Sequence, residues 1–380
     1  MKISSIEACP VTIPLKPERV MVNALGVHTV SNLVFVAVHT DDGLTGYGEA
    51  TGSPTWSGET QAGTLAAIRQ ILSPLLIDQD PIEVRSLAKA MDRALWGNPF
   101  SKAALEMALL DLIGRSLRVP VCDLLGGRRR PSEIPLKFSI AAYEPARAAQ
   151  VAESYALQGF RAVKVKVGFA VSADMARVQA VRSALGADFR IAVDANGGWS
   201  ESDTVAALPH LERLGVQALE QPLRRADFRG SARIRKRTSI PLILDESIFT
   251  REEALEAVRL NACDLISIYP GKNGGVWRSL EIAHLADAAG LECVVGSNIE
   301  ADVASSAMLH LAVAMPNLSE SVDHEIIGPL YYTHSLGATA VKIENGRAVL
   351  CPGIGLGADL DFASLQDRAR VLERGMESLS

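Results

Sequence analysis

The spacing of hydrophobic positions changes twice along the 380 residues of this chain. Up to about residue 60 apolar and polar residues alternate as they do in strands, and DDGLTG supplies the glycine-bearing turn of a hairpin. From about 60 to 117 the apolar residues recur at i, i+3 and i+4, which predicts a block of helices. Strands followed by helices indicate a separate α+β domain, which we assign to residues 1–130.

From about residue 134 short apolar runs alternate with helical segments. Eight such runs occur: PLKFSIAA, AVKVKV, FRIAVDA, VQALEQP, PLILDES, DLISIYP, LECVVGS and NLSESVD. The polar residues that end the five central runs are spaced by 28, 26, 25 and 24 positions, and they are Lys166, Asp194, Glu220, Asp245 and Tyr269. This spacing is typical of β-loop-α units, so residues 131–335 are predicted to form a (β/α)8 barrel. A doubly wound open sheet is the alternative, but no GxGxxG motif opens the first helix.

The last segment, residues 336–380, begins with a hairpin pattern. VKIENGRAVL predicts two short strands, and the Gly-rich CPGIGLG follows them. We expect this segment to return to the N-terminal domain.

Composition excludes several classes of function. The net charge is −6 and no sustained basic run occurs, so neither a nucleic acid nor an anionic membrane surface is an expected partner. The five cysteines are scattered and lack the spacing of a zinc site. The N-terminus has no apolar signal-peptide region, and no apolar stretch of 18 residues occurs, so we expect a cytoplasmic protein.

The stretch RAVKVKVGFA at 161–170 places two lysines one residue apart among strand-forming residues. Lys164 and Lys166 alternate with valines, so a strand would turn both lysines to one face and the valines to the other. Taken alone, the pattern also describes an exposed edge strand with a solvated lysine face.

Three successive runs end in an acidic residue: Asp194 in IAVDANGGW, Glu220 in ALEQP and Asp245 in LILDES. The carboxyl ends of barrel strands form one face, so these acids are predicted to converge. Converging carboxylates repel one another unless a cation holds them. Because the set contains oxygen donors without His or Cys, it predicts Mg²⁺, with Mn²⁺ second and Zn²⁺ disfavoured. The alternative is that each acid caps a helix or forms a salt bridge.

A divalent cation would give the two lysines a chemical role. A lysine that is buried beside positive charge is expected to have a lowered pKa and to act as a general base. The metal would hold the carboxylate of a small-molecule substrate while the adjacent carbon loses a proton. The pattern therefore favours enolate chemistry.

These motifs resemble those of the enolase superfamily, and specifically the muconate-lactonizing subgroup of the mandelate racemase/muconate lactonizing enzyme family. The likeness covers nearly the whole chain, through KVKVG, DANGGW, EQP, DES, GKNGG, GSNIE and GIGLG. It implies a TIM-like (β/α)8 barrel with an N-terminal α+β capping domain that the C-terminal segment completes. It also implies a homo-oligomer.

The resemblance assigns roles to individual residues. It implies that Asp194, Glu220 and Asp245 bind Mg²⁺, that Lys166 transfers the proton, and that Lys164 holds the substrate carboxylate. Further residues would line or support the site: Ser297, Glu300, Glu325, Asn196 and Glu246. The capping loops near 20–30 and 50–60 would cover the barrel, which makes Val22, His28 and Trp56 candidate specificity residues.

One position departs from the subgroup. Its members usually carry a second lysine on the sixth strand, five positions before the first Gly of the GG pair, where this chain has Tyr269. Lys272, in the following loop, is a possible substitute. A racemase needs a base on each face of the carbon, so two-lysine racemisation is disfavoured unless Tyr269 or Lys272 is the second acid. The His-Asp pair of mandelate-racemase-type sites has no counterpart here, because no histidine occurs between His210 and His284.

The reactions that remain need an acid or base on only one face of the substrate carbon. The resemblance favours a cycloisomerase that closes a lactone, and syn dehydration of a hydroxy or sugar acid is the alternative. A Schiff-base aldolase would use an inward lysine but would not need three acids. A catalytically degenerate binding protein would explain the missing lysine, but it would be expected to lose the other site residues as well.

Overall fold

The computed structural model describes residues 1–333, 341–350 and 352–365. The N-terminal region forms a three-stranded antiparallel sheet in the order β1-β4-β5, next to a two-stranded hairpin of β2 and β3. These strands are β1 (Ile3–Pro14), β2 (Met21–Asn23), β3 (Gly26–His28), β4 (Val30–Thr40) and β5 (Thr45–Ala50). The turn between β4 and β5 is the predicted DDGLTG turn.

Five helices follow the sheet: α1 (Gln61–Ala66), α2 (Ser73–Leu76), α3 (Val84–Ala94), α4 (Pro99–Leu117) and α5 (Val121–Leu124). A π-helical segment, Ala67–Leu72, joins α1 to α2. Helix α4 is buried on all sides from Phe100 to Gly114, and most of these residues are apolar. It lies directly against β5, where a methyl group at Gly48 would come within 1.8 Å of the Ala104 carbonyl oxygen. This close approach requires glycine at that position.

The central region is a barrel of parallel strands surrounded by helices. Seven strands pair in chain order: β7 (Lys137–Ile140), β8 (Ala162–Lys166), β9 (Arg190–Asp194), β10 (Ala218–Glu220), β11 (Leu242–Leu244), β12 (Leu265–Ile268) and β13 (Glu292–Val295). The helices between and after them are α6 (Pro145–Leu157), α7 (Val171–Leu185), α8 (Glu201–Arg213), α9 (Phe228–Arg235), α10 (Arg251–Leu260), α11 (Pro270–Asn273), α12 (Val276–Ala288) and α13 (Asp302–Ala314).

The eighth predicted run, NLSESVD, closes the ring without forming a regular strand. Leu318 makes a parallel bridge to Cys293 on β13, and His324 makes a parallel bridge to Leu136 beside β7. The Glu325 amide also donates to the Val295 carbonyl at 2.9 Å. The (β/α)8 barrel predicted from the spacing of the runs is therefore confirmed, and the edge-strand interpretation of residues 162–166 is wrong because β8 is paired on both sides.

The described part of the tail contacts both regions. Strands β14 (Val341–Glu344) and β15 (Arg347–Leu350) form the predicted hairpin, which adds to β6 (Glu133–Pro135). Gly355 bridges Pro120 in the N-terminal region, and the Arg115 guanidinium donates to the Ala358 carbonyl at 2.7 Å. The other predicted tail residues, 334–340, 351 and 366–380, lie outside the described residues.

The described cysteines Cys9, Cys122, Cys263 and Cys293 are buried. Within the described ranges, no helix has both the length and the apolar character needed to cross a membrane.

Candidate active site

Both lysines of β8 point into the barrel. Lys164 is 3% exposed and Lys166 is 7% exposed, and the alternating residues Val163 and Val165 are buried on the other side of the strand. The alternation in RAVKVKV thus places two ammonium groups at the carboxyl end of the second barrel strand. This is the face where barrels carry their active sites.

Two of the three predicted acids lie beside these lysines. Strand register aligns Lys166 with Asp194 and Asp194 with Glu220, and Asp245 directly follows β11. Lys166 Nζ lies 2.6 Å from Asp194 Oδ2. Lys164 Nζ lies 3.1 Å from the same oxygen and 3.0 Å from Glu220 Oε1. These contacts bring Asp194 and Glu220 together, whereas Asp245 forms its ion pair with Lys272.

Burial and charge act in opposite directions on these groups. Burial alone would raise the pKa of Asp194, but the ammonium groups of Lys166 and Lys164 hold it well below its ordinary value. Burial raises the pKa of Glu220 to about 7, although Lys164 acts to lower it. Burial would lower the pKa of Lys164, but Glu220, Glu325 and Asp194 together raise it well above its ordinary value. The sequence predicted the opposite direction for a lysine beside a metal, whereas here its neighbours are carboxylates.

The donor chemistry of the site fits a hard cation. Three carboxylates of adjacent strands are present, and two buried oxygens at the site, Glu220 Oε2 and Asn196 Oδ1, have no hydrogen-bond partner. As the side chains are placed, no three acidic, His or Cys groups in residues 1–333, 341–350 and 352–365 surround one point as metal ligands. Each of the three acids instead pairs with a lysine: Asp194 with Lys166, Glu220 with Lys164, and Asp245 with Lys272.

The sixth strand carries no free amine toward the site. Lys272 is fully buried in α11, and its Nζ donates to Asp245 Oδ1 at 2.7 Å and to the carbonyls of Asp245 and Ser267 at 2.9 and 2.6 Å. Tyr269 is 1% exposed, and burial followed by the charge of Asp245 raises the pKa of its phenol well above the ordinary value. Neither side chain lines the cavity described below.

An indole ring of the N-terminal region covers this side of the barrel. Trp56 stacks on Tyr269 with ring centroids 5.5 Å apart and also packs on Phe249 at 5.0 Å. Its Nε1 donates to Glu246 Oε1 at 3.3 Å, and Asn196 Nδ2 donates to the same oxygen at 2.8 Å. Burial, with the charge of Asp245, raises the pKa of Glu246 to about 8. Trp56 is thus held against residues that follow the fifth and sixth barrel strands.

Lys164 and Lys166 line a cavity of about 300 Å³ beneath the hairpin of β2 and β3. Most of the candidates from the sequence line it: Lys164, Lys166, Asp194, Asn196, Asp245, Ser297, Glu325, Trp56 and His28. Val22 does not line it, and the carbonyl of this residue accepts the Ala142 amide at 2.8 Å. Glu220, Glu246 and Glu300 stand behind the lining residues.

The seventh and eighth positions supply supporting carboxylates. Glu300 accepts the Ser297 hydroxyl at 2.6 Å and the Asn298 amide at 2.9 Å, and burial raises its pKa to about 7. Glu325 lies 2.5 Å from Lys164 Nζ and accepts the Ser139 hydroxyl. Glu325 therefore connects the first and second strands of the barrel.

Several residues of the site escaped the sequence prediction. Ser139 lines the cavity, and Lys137 is buried on the same strand with its Nζ 2.6 Å from the Asp323 carbonyl. The signal was available, because KFS repeats on the first strand the inward alternation that singled out Lys164 and Lys166. Asn23, at the end of the short strand β2, also lines the cavity. Other lining residues lie on loops that carry no such periodicity: Ser53, Thr55, Asn298, Ile299 and Tyr331.

Family models match both regions of the chain. The mandelate racemase/muconate lactonizing enzyme N-terminal domain matches residues 6–126, and the enolase C-terminal domain-like model matches residues 146–364. An N-succinyl-L-Arg/Lys racemase from Bacillus cereus is 34% identical over 357 residues, which is 94% of this chain and 95% of the racemase. A chloromuconate cycloisomerase from Cupriavidus necator is 33% identical over 375 residues, 98% of this chain and 100% of that enzyme.

Solved structures agree with these relationships. The N-succinyl Arg/Lys racemase from Bacillus cereus superposes with a TM-score of 0.92 at 32% identity, covering 97% of this chain and 98% of the racemase. A dipeptide epimerase from Enterococcus faecalis, solved with Mg and L-Leu-L-Tyr, has a TM-score of 0.89 at 31% identity over 94% of this chain and 99% of the epimerase. These relatives are isomerases that act on small molecules. This chain belongs to the mandelate racemase/muconate lactonizing enzyme family of the enolase superfamily.

Proposed function

We propose that this protein is a Mg²⁺-dependent enzyme in which Lys166 alone transfers the proton at the carbon next to a substrate carboxylate. The observation that carries this proposal is the arrangement around Trp56. Strands β8 and β12 are four positions apart in an eight-membered ring, so they face each other across the barrel. Lys166 stands at one side of the cavity, and an indole ring at the other. A carbon between them has one face toward an amine and the other toward an aromatic surface.

Asp194, Glu220 and Asp245 would hold the metal, with the Asn196 amide oxygen beside them. Their chemistry supports this assignment, and two solved dipeptide epimerases of the family are complexes with Mg. When bound, the ion supplies positive charge that stabilises the negative charge developing on the substrate carboxylate.

The two lysines have different surroundings and therefore different roles. Lys164 is held by Glu220, Glu325 and Asp194, which keep it protonated and suited to bind a carboxylate. Lys166 lines the cavity, and among the described residues it forms an ion pair with Asp194 alone. It is the amine with freedom to accept a proton and return it.

The lining of the cavity favours syn dehydration of a small hydroxy acid. Among the described lining residues, Lys164 and Lys166 are the cationic side chains, since burial lowers the pKa of His28. The outer part instead carries neutral hydrogen-bonding groups: Asn23, His28, Ser53, Thr55 and Asn298. A second carboxylate there would lose its hydration without a counter-ion, whereas a hydroxyl would find partners. A cavity of about 300 Å³ also suits a small acid.

In this reaction Lys166 serves twice on the same face. Its neutral amine takes the proton from the α-carbon, and the electron pair forms a double bond to the β-carbon as the C–O bond breaks. The Lys166 ammonium then gives its proton to the departing hydroxide, so that water leaves and the amine is regenerated.

Cycloisomerisation is the second candidate, and the likeness to chloromuconate cycloisomerase over 98% of this chain favours it. There, one substrate carboxylate adds to the double bond and the Lys166 ammonium protonates the α-carbon. This chemistry also needs one face only, but it requires a dicarboxylate substrate.

The two reactions are separated by their substrates. The enzyme with Mg²⁺ would be incubated with a panel of linear and cyclic 3-hydroxy acids and with cis,cis-muconate, and products followed by NMR. An unsaturated acid from a 3-hydroxy acid, absent with Lys166→Ala, would support dehydration. Formation of a lactone from muconate would show that the enzyme catalyses cycloisomerisation and would refute the proposed dehydration. Turnover that survives Lys166→Ala would refute the proposal as a whole.

A further inference from the structure

The turn that follows Lys166 is held by one buried carboxylate. Asp174, in the first turn of α7, is fully buried, and its Oδ2 accepts the amides of Gly168 and Phe169 at 3.0 and 2.8 Å. The same oxygen accepts Trp199 Nε1 at 3.1 Å. Trp199 ends the DANGGW motif, which begins with Asp194. One side chain thus ties the loop after the proposed base to the loop after a proposed metal ligand.

A buried guanidinium completes the arrangement. Arg177 is 7% exposed, and its Nη1 donates to Asp174 Oδ1 at 2.7 Å and to the carbonyl of Lys166 at 3.1 Å. Its Nε donates to the Tyr143 carbonyl at 2.6 Å, in the loop after the first barrel strand. The planar fork of arginine matches this geometry, because its donors are fixed relative to one another. Arg177 therefore holds the backbone at Lys166 through the carbonyl of that residue.

The hairpin that covers the cavity rests on the same two loops. A methyl group added to Gly168 would lie 2.2 Å from the Ala195 carbonyl oxygen and 3.1 Å from the Ala24 side chain. One added to Gly198 would lie 2.6 Å from the Ala24 side chain. Ala24 lies between β2 and β3, so a shift of either loop is transmitted to the cover of the cavity.

We propose that Asp174 and Arg177 are positioning residues that fix Lys166 relative to Asp194 and to the covering hairpin. Neither touches the cavity, so they act through the backbone that carries Lys166. The inference rests on the proposed role of Lys166. A positioning role is distinguished from general stabilisation by the hydrogen bond from Arg177 to the carbonyl of Lys166. An ion pair that only stabilised the fold would not need this hydrogen bond.

The chain provides a matched control. Buried Asp111 and half-buried Arg115 form another ion pair on a helix, with the guanidinium 2.9 Å from Asp111 Oδ2. Asp111 also accepts backbone amides, from Tyr47 and Leu356. This pair lies in the N-terminal region, and neither residue lines the cavity. Arg115→Gln should therefore reproduce the loss of stability without the loss of positioning.

The first test needs no substrate. Acetic anhydride would label the intact protein at one pH, and peptide mapping would give the acetylation rate of Lys166 relative to exposed Lys236. Arg177→Gln and the milder Arg177→Lys are each expected to change this ratio by at least about threefold, since amine reactivity follows the surroundings of the lysine. Arg115→Gln should leave it unchanged. Folded Arg177 variants with the wild-type ratio would overturn the proposal.

The second test uses turnover once a substrate is known. Arg177→Gln and Asp174→Asn are expected to lower kcat by about 10- to 100-fold, as misplacement of a catalytic group by about 1 Å does, with KM changed much less. Arg177→Lys should recover part of kcat. An altered labelling ratio in an enzyme without proton-transfer activity would support positioning and refute the proposed function. An equal fall of kcat in Arg115→Gln would overturn the positioning role.

Discussion

The indole ring of Trp56 stacks on the phenol ring of Tyr269 with their centroids 5.5 Å apart. The residue from the N-terminal region lines the cavity, whereas the barrel residue beneath it does not. The sixth strand, which would carry the second lysine in the related subgroup, is therefore screened from a substrate. This contact explains how a site with Lys166 on one side can lack a proton-transfer group on the other.

Removing the Tyr269 hydroxyl is expected to have little effect on proton transfer. Because burial raises the pKa of this phenol and the ring lies under Trp56, Tyr269→Phe should change the rate less than about tenfold. Lys166→Met should lower it by about 10²- to 10⁴-fold, as expected for loss of a general acid or base. The exchange rate of the α-proton in D₂O measures both. Equal losses in the two variants would show that Tyr269 is a second acid.

Lys272 is expected to stabilise the barrel without transferring protons. Lys272→Met leaves the buried carboxylate of Asp245 without its ammonium partner, which should cost about 3–5 kcal/mol of the free energy of unfolding in the absence of metal. Urea unfolding measures this change, and Lys236→Met on the exposed surface is the control. A variant with wild-type stability that no longer exchanges the α-proton would assign Lys272 to catalysis.

Magnesium is expected to stabilise the folded protein through the three acids. At a concentration 100 times its Kd, a ligand that binds only the folded state contributes about 2.7 kcal/mol. Thermal unfolding should show this increase for the wild type and the control Glu153→Gln, but not for Asp194→Asn or Glu220→Gln. An equal shift in all four proteins would place the bound ion elsewhere, and no shift in any would refute the metal site.

Stability is expected to fall as the pH rises from about 5 to 8, because the folded protein holds protons that the unfolded chain releases. Burial raises the pKa of Glu106 from an ordinary 4.5 to about 8, and that of Glu49 to about 7. Between the unfolded and folded pKa values the folded state binds more protons, so each such group lowers the free energy of unfolding by about 1.4 kcal/mol per pH unit.

Glu106→Gln tests this dependence directly. Its carboxylate accepts the amides of Val276 and Trp277 at the start of α12, and an amide oxygen can accept them as well. The variant should therefore lose part of the pH dependence and gain stability at pH 8 relative to the wild type. Exposed Glu153→Gln should change neither. Denaturant titrations at pH 5 and 8 provide the comparison, and parallel curves for wild type and Glu106→Gln would contradict the account.

The part of the site that depends on regular strand geometry could be predicted from the sequence. Alternation turned Lys164 and Lys166 inward, and the shared edge of the strands brought Asp194 and Glu220 together. The position of Trp56 depends on a tertiary contact between regions distant in sequence, which no local pattern encodes. The return of Lys272 to Asp245 depends on the short helix α11, and the irregular eighth segment on two isolated bridges.

The most direct test of one-faced proton transfer is the stereochemistry of exchange. The protein would be incubated with Mg²⁺ in D₂O and a substrate found in the product panel, and the configuration of the recovered α-carbon followed by NMR and chiral chromatography. We predict deuterium at the α-carbon with retained configuration, lost in Lys166→Ala and kept in Tyr269→Phe. Deuterium accompanied by inversion would contradict the account, because it requires a second acid or base on the side that Trp56 covers.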